Sequence, residues 1–138
     1  MTSSNQINFI NPAGLHKNPA YSQAIVVTGA VKTIYVGGQN SIDAAGAVIG
    51  KGDFKAQVEQ TLKNLRLALE GGGARPEDVI KWNIYVVDGQ SFQEGFEVFQ
   101  RVWGKPSNPP IITGIYVAGL TNPDYLVEID AIAVVSEQ

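Results

Sequence analysis

Cysteine is absent from the chain, and histidine and methionine occur once each. The first absence rules out disulfides and thiolate nucleophiles, and the lone His16 cannot assemble a metal site without cysteine or a second histidine. No GxSxG turn is present, so a nucleophilic triad has no local frame either. Charge is sparse: charged residues make up 17% of the chain, the ten basic ones are scattered, and the net charge is −3. No basic stripe exists to follow a phosphate backbone, so nucleic acid is not an expected partner. Residues 1–6 lack a basic region followed by an apolar run, and no stretch is long and apolar enough to span a bilayer. The expectation is no membrane association and a cytoplasmic location.

What is present is ample core material. A hydrophobic share of 44% over 138 residues suits one compact domain, residues 1–138, and leaves little room for two. Two Asn-Pro pairs, Asn11-Pro12 and Asn18-Pro19, mark residues up to about 19 as loop or edge. Residues 24–28 and 33–36 then read as strands of a hairpin, the second stopping at Gly37-Gly38. Asp53 is a good N-cap, and Phe54, Val58, Thr61, Leu62, Leu65 and Leu69 follow helical spacing up to Gly71-Gly72-Gly73. That glycine run follows a helix and lacks the Lys-Ser/Thr ending of a phosphate loop.

After a turn at Pro76-Glu77-Asp78, residues 79–87 read as a strand with Trp82, Ile84 and Val86 on one face. Ser91 caps a second helix with Phe92, Phe96, Phe99, Val102 and Trp103 on one side, an aromatic stripe expected to be core. Residues 111–118 and 125–135 are read as two adjacent strands joined by a turn at residues 119–124. In the last of them Glu128 and Asp130 share a face with Leu126, while Val127, Ile129, Ala131 and Ala133 take the other. The two carboxylates lie about 7 Å apart on a regular strand. Only Glu128 is a candidate for chemistry; Asp130 is expected to be solvated or hydrogen-bonded. The order ββαβαββ predicts an α+β two-layer domain: a mostly antiparallel sheet with both helices on one face. The other face still carries apolar residues and is expected to pack against copies of the chain.

Several segments resemble one family: Asn18-Pro19-Ala20-Tyr21-Ser22-Gln23-Ala24, Val36-Gly37-Gly38-Gln39, residues 57–65 and residues 127–134. In this order they resemble the RidA/YjgF enamine/imine deaminases, also labelled endoribonuclease L-PSP. The resemblance implies a chorismate-mutase-like fold with a mixed sheet, a homotrimer, and a small-molecule ligand cleft at each subunit interface. It implies no metal or organic cofactor, and addition of water to imines or enamines derived from amino acids. Glu128 matches the glutamate that orients the water, which makes it the catalytic candidate, and Tyr21 matches a cleft tyrosine. Gly37, Gln39, Phe96, Ile112 and Gly114 fall at further substrate-binding positions.

Four of these depart from the family pattern. Ile112 stands where the deaminases carry the arginine that grips the substrate carboxylate, Gly37 where serine is common, Phe96 near an asparagine, and Gly114 at a cysteine. A guanidinium pairs with a carboxylate in bidentate fashion and isoleucine does not, a loss of about 3 kcal/mol for a buried substrate carboxylate. The expected substrates are therefore imines or enamines other than the usual 2-imino acids, unless Arg101 or Lys105 supplies the missing charge. Alternatives are a trimer that binds a ligand or a protein without chemistry and, weakest, a ribonuclease.

Overall fold

The computed structural model describes residues 6–137, so the reading of residues 1–5 lies outside the described residues. In chain order the elements are β1 (Ile7–Ile10), β2 (Ala24–Val27), β3 (Val31–Gln39), α1 (Phe54–Gly71), β4 (Val79–Val87), α2 (Phe92–Trp103), β5 (Ile111–Val117) and β6 (Val127–Ser136). A 3-10 turn, Pro76–Asp78, precedes β4. The main sheet runs β3-β6-β4-β5, with β6 antiparallel to both neighbours and β5 parallel to β4. Both helices pack on one face, giving the expected α+β arrangement.

Two pairings differ from the sequence reading. Residues 111–117 and 127–136 are not neighbours, because β6 inserts between β3 and β4 while β5 pairs with β4. A parallel pair needs a crossover, and α2 supplies it. Nor do β2 and β3 close a hairpin: β2 pairs with β1, a regular strand inside the stretch read as loop or edge, and β3 pairs with β6. Gln6 helps hold that small sheet. Its backbone carbonyl accepts from Thr28 N–H at 2.8 Å and its side-chain Nε2 donates to the Ala30 carbonyl at 3.0 Å. Four residues carry too little pattern to announce β1; its partner decides it.

The helix limits follow the capping chemistry. Asp53 accepts from Ala56 N–H at 3.1 Å and Ser91 from Glu94 N–H at 3.2 Å. Gly73, at φ +85°, takes the left-handed turn that ends α1, and Ala74 N–H closes back on the Leu69 carbonyl at 2.8 Å. Phe54, Val58, Leu62, Leu65 and Leu69 bury against Val36, Trp82, Val86, Val127, Ile129, Ala131 and Ala133. The two small alanines let α1 lie close over β6.

α2 is fixed differently. Val98 is its one fully buried residue, Phe92, Phe99, Val102 and Trp103 are half-buried, and Phe96 is 38% exposed. The aromatic stripe is therefore not simply core. Trp82 of β4 meets the Phe99 ring edge-on at 5.7 Å and the Trp103 ring at 5.2 Å, while Phe92 meets Tyr116 of β5 edge-on at 4.8 Å. These rings brace α2 against the sheet without closing the space between them.

One buried polar side chain ties the layers together. Gln57, fully buried on α1, donates to the Gly50 carbonyl (3.1 Å) and the Asp124 carbonyl (2.9 Å) and accepts from Leu126 N–H (2.8 Å). It joins the loop before α1 to the turn that launches β6. Gln57→Leu fills the same volume but orphans these groups, so it lowers stability by about 2 kcal/mol or more. Urea unfolding reads this as a lower midpoint with an unchanged slope.

Candidate functional site

Glu128 lies on the sheet face away from the helices, because Val127 and Ile129 on either side of it are buried beneath α1 and α2. Its Oε1 accepts from Asn40 Nδ2 at 3.2 Å, and the same Nδ2 also donates to the Val127 carbonyl at 3.1 Å. Asn40 is held in turn through its own carbonyl, which accepts from Asn64 Nδ2 of α1 at 2.9 Å; Gln60 Nε2 donates to Asn64 Oδ1 at 3.0 Å. A chain of amides thus runs from α1 to the carboxylate. Asn40 was not singled out from the sequence, because nothing in its local pattern says that it folds back onto β6.

The glycine pair beside Glu128 has a specific reason. The β3–β6 ladder slips between Val36 and Gln39, forming a bulge that contains Gly37 and Gly38. A Cβ on Gly38 would stand 2.6 Å from Glu128 Oε2, so the carboxylate occupies the room that the missing side chain leaves. Gly37 has open space around it, and Gln39 Nε2 donates to the Gly37 carbonyl at 3.2 Å. Glu128, Gly37 and Gln39 therefore form one group at the bulge.

Tyr21, Phe96, Ile112 and Gly114 form a second group, on the helix side of the sheet, where they line a pocket of about 560 Å3. Trp82, Ile84, Val127 and Ile129 of the sheet form its floor, Phe54, Val58 and Leu62 come from α1, and Phe92, Phe96 and Phe99 from α2. Sealed off, a void of that size would cost about 13 kcal/mol at ~24 cal/mol per Å3, as much as a whole domain's stability. It is not sealed off: Phe96 on its wall is 38% exposed. Gly114 is again a matter of room: a Cβ there would meet the Phe92 ring at 2.8 Å.

The Tyr21 loop is pinned across the pocket by polar groups. Asn18 Oδ1 accepts from Ala20 N–H at 2.8 Å, Ser22 N–H donates to the Pro110 carbonyl at 3.1 Å, and Ser22 Oγ donates to the Pro109 carbonyl at 2.6 Å. Ser22 is buried and fastens this loop to the chain entering β5. Of the two cations near the end of α2, Arg101 pairs with Glu59 of α1 at 2.9 Å and is not part of the pocket wall. Lys105 lines the pocket. Among the described residues no cluster of three metal-ligating side chains occurs, and no helix is long and apolar enough to cross a membrane.

Asp130 shares the open face with Glu128. Its Oδ1 accepts from Asn83 Nδ2 at 2.7 Å, and its Oδ2 stands 3.5 Å from the Tyr85 hydroxyl. The Asp130 charge, with partial burial, pushes the Tyr85 phenol above its usual 10, and Glu128 adds to the shift. A phenol held neutral in the fold contributes stability that is complete below pH 10 and is lost as the pH rises through its folded pKa. Asp130→Asn should bring the Tyr85 pKa down, read by NMR of ring-labelled tyrosine, and lessen the alkaline loss of stability.

Comparison with known proteins agrees with this architecture. Residues 14–135 match the family model described as Endoribonuclease L-PSP. A RutC family protein of Pyrococcus abyssi is 36% identical over 113 residues, which cover 82% of this chain and 84% of that protein. The 2-iminobutanoate/2-iminopropanoate deaminase of Rattus norvegicus is 32% identical over 115 residues, 83% of this chain and 80% of that one. Among solved structures, a protein of the conserved Rid family from Yersinia pestis superposes with a TM-score of 0.80 at 29% identity, covering 94% of this chain and 99% of its own. Shared sequence over most of the chain and a shared sheet-and-helix plan together place this protein in the RidA/YjgF family, the one described as endoribonuclease L-PSP.

Proposed function

We propose that the protein is a cofactor-independent hydrolytic deaminase of small imines or enamines, with its cleft formed between copies of the chain in a homotrimer. One observation carries this reading: the two halves of the candidate site lie on opposite faces of the same sheet. Glu128, with Gly38 beside it, occupies the open face, and Tyr21, Phe96, Ile112 and Gly114 line the pocket on the helix side. Within one chain the sheet keeps them apart; the Glu128 face of one copy set against the pocket of the next would join them. Relatives named as 2-iminobutanoate/2-iminopropanoate deaminases support the reaction class.

In this reading the substrate lies in the pocket with its C=N bond toward the neighbouring copy's Glu128. The carboxylate accepts a proton from a water molecule as the water oxygen bonds to the imine carbon, giving a carbinolamine. The nitrogen takes that proton to complete the carbinolamine, and the carboxylate then carries the hydroxyl proton to nitrogen as the C–N bond breaks and C=O forms, so that one imine and one water yield one carbonyl compound and one ammonia. Asn40 fixes one carboxylate oxygen and leaves Oε2, over Gly38, to face the water. Ile112 offers a substrate carboxylate no hydrogen bond, so ordinary 2-imino acids are poor substrates and those with an apolar or aromatic substituent are better.

The apolar lining of the pocket favours one second reading, a trimer that binds a ligand without chemistry. Turnover separates the two. Enamines generated in place by an amino-acid oxidase are offered to the assembled protein, and ammonia and carbonyl product are followed. Glu128→Gln should lower kcat by about 100-fold or more if the carboxylate handles the water. No acceleration by the wild-type protein, or none lost in the variant, overturns the enzymatic reading. Ile112→Arg should raise kcat/KM for 2-imino acids about tenfold or more, mainly through KM.

A further inference from the structure

We infer that the pocket behind α2 is a binding site for an amphipathic monoanion, a small molecule with an extended or aromatic apolar body and a single carboxylate head. The inference concerns the same pocket in which the proposed function seats its substrate and rests on that reading for the site, but it needs no turnover there.

Three features of the wall select this chemistry. Its depth is apolar throughout, from Leu62 and Trp82 to Ile112 and Phe99, and therefore suits a body with no polar atoms to satisfy. Its volume of about 560 Å3 lies within the range of small-molecule sites, far beyond what a two- or three-carbon skeleton would fill. Its charge is of one sign: among the described residues Lys105 is the only ionised side chain on the wall, no carboxylate lines it, and none pairs with Lys105.

Lys105 lies just past the C-terminal end of α2, in the segment of Gly104 and Pro106 that also borders the pocket. An ammonium group attracts a carboxylate as a point charge and does not fix its plane as a guanidinium would. The site therefore discriminates by the length and shape of the body more than by the geometry of the head. Asn18, Gln93 and Gln100 supply further polar groups on the same lining.

The test is equilibrium binding to the assembled wild-type protein, by calorimetry, of straight-chain carboxylates from hexanoate to decanoate and the matching 1-alkanols. Affinity should rise about fourfold per methylene until the pocket is full, and each acid should bind more tightly than its alcohol. Lys105→Gln should weaken the acids several-fold and leave the alcohols unchanged. Ile84→Phe and Ile112→Phe fill the pocket from two strands, and each variant that keeps its native circular dichroism should lose both series. Quenching of tryptophan fluorescence by a bromo-alkanoate needs no substitution and should report a ligand against Trp82. Absence of binding by the wild-type protein, binding without length dependence, equal loss of acids and alcohols in Lys105→Gln, or undiminished binding in a folded filled variant each overturns the inference. Failure of the deaminase assay leaves these results untouched, and alkanoate binding does not by itself establish turnover.

Discussion

The two-residue alternation of β6 is the constraint on which the rest depends. Val127, Ile129, Ala131 and Ala133 must bury beneath the helices, so Glu128 and Asp130 are turned to the other face. Because β6 sits inside the sheet, hydrogen-bonded on both edges, a one-residue slip would drive both carboxylates into the core and expose four apolar side chains. The position of the acid is thus fixed by hydrophobic burial on the opposite side of its own strand. The bulge at Gly37 and Gly38 supplies the room that the carboxylate needs.

Amide side chains set the finer geometry. Gln57, Asn64 and Asn40 bind the loops around α1 to the start of β6, and Asn40 ends this series on Glu128. Gln57 is fully buried and Asn40 and Asn64 half-buried; amides taken out of water are costly unless satisfied, and each of these has a partner, which makes them specific fasteners as well as tolerated ones. Ser22 does similar work at the other end of the site, clipping the Tyr21 loop to the chain before β5. These contacts fasten the irregular loops beside Glu128 and Tyr21 to a rigid sheet.

The helix side follows a different rule. α1 lies flat on the small side chains of β6, whereas α2 is held off β4 and β5 by large rings, Trp82 against Phe99 and Trp103 and Phe92 against Tyr116. The pocket is the consequence of that stand-off. Ile112 and Gly114 belong to its wall; Ile112 adds apolar surface, and Gly114 leaves room for the Phe92 ring.

The sequence by itself determined the periodic elements: α1 with its Asp53 cap and its glycine stop, α2 behind Ser91, β4 with its bounds, and the two faces of β6. Each of these is written in the spacing of side chains along one segment, and local patterns survive without knowledge of partners. Only the tertiary structure decided the pairing, setting β6 between β3 and β4, taking β5 across to lie parallel with β4, and giving β2 the short β1 as its neighbour. It alone also brought Asn40 onto Glu128, sent Arg101 to Glu59 and left Lys105 on the pocket wall. The physical reason is that pairing and pocket shape are set by residues far apart in the chain, whose mutual fit no local period records.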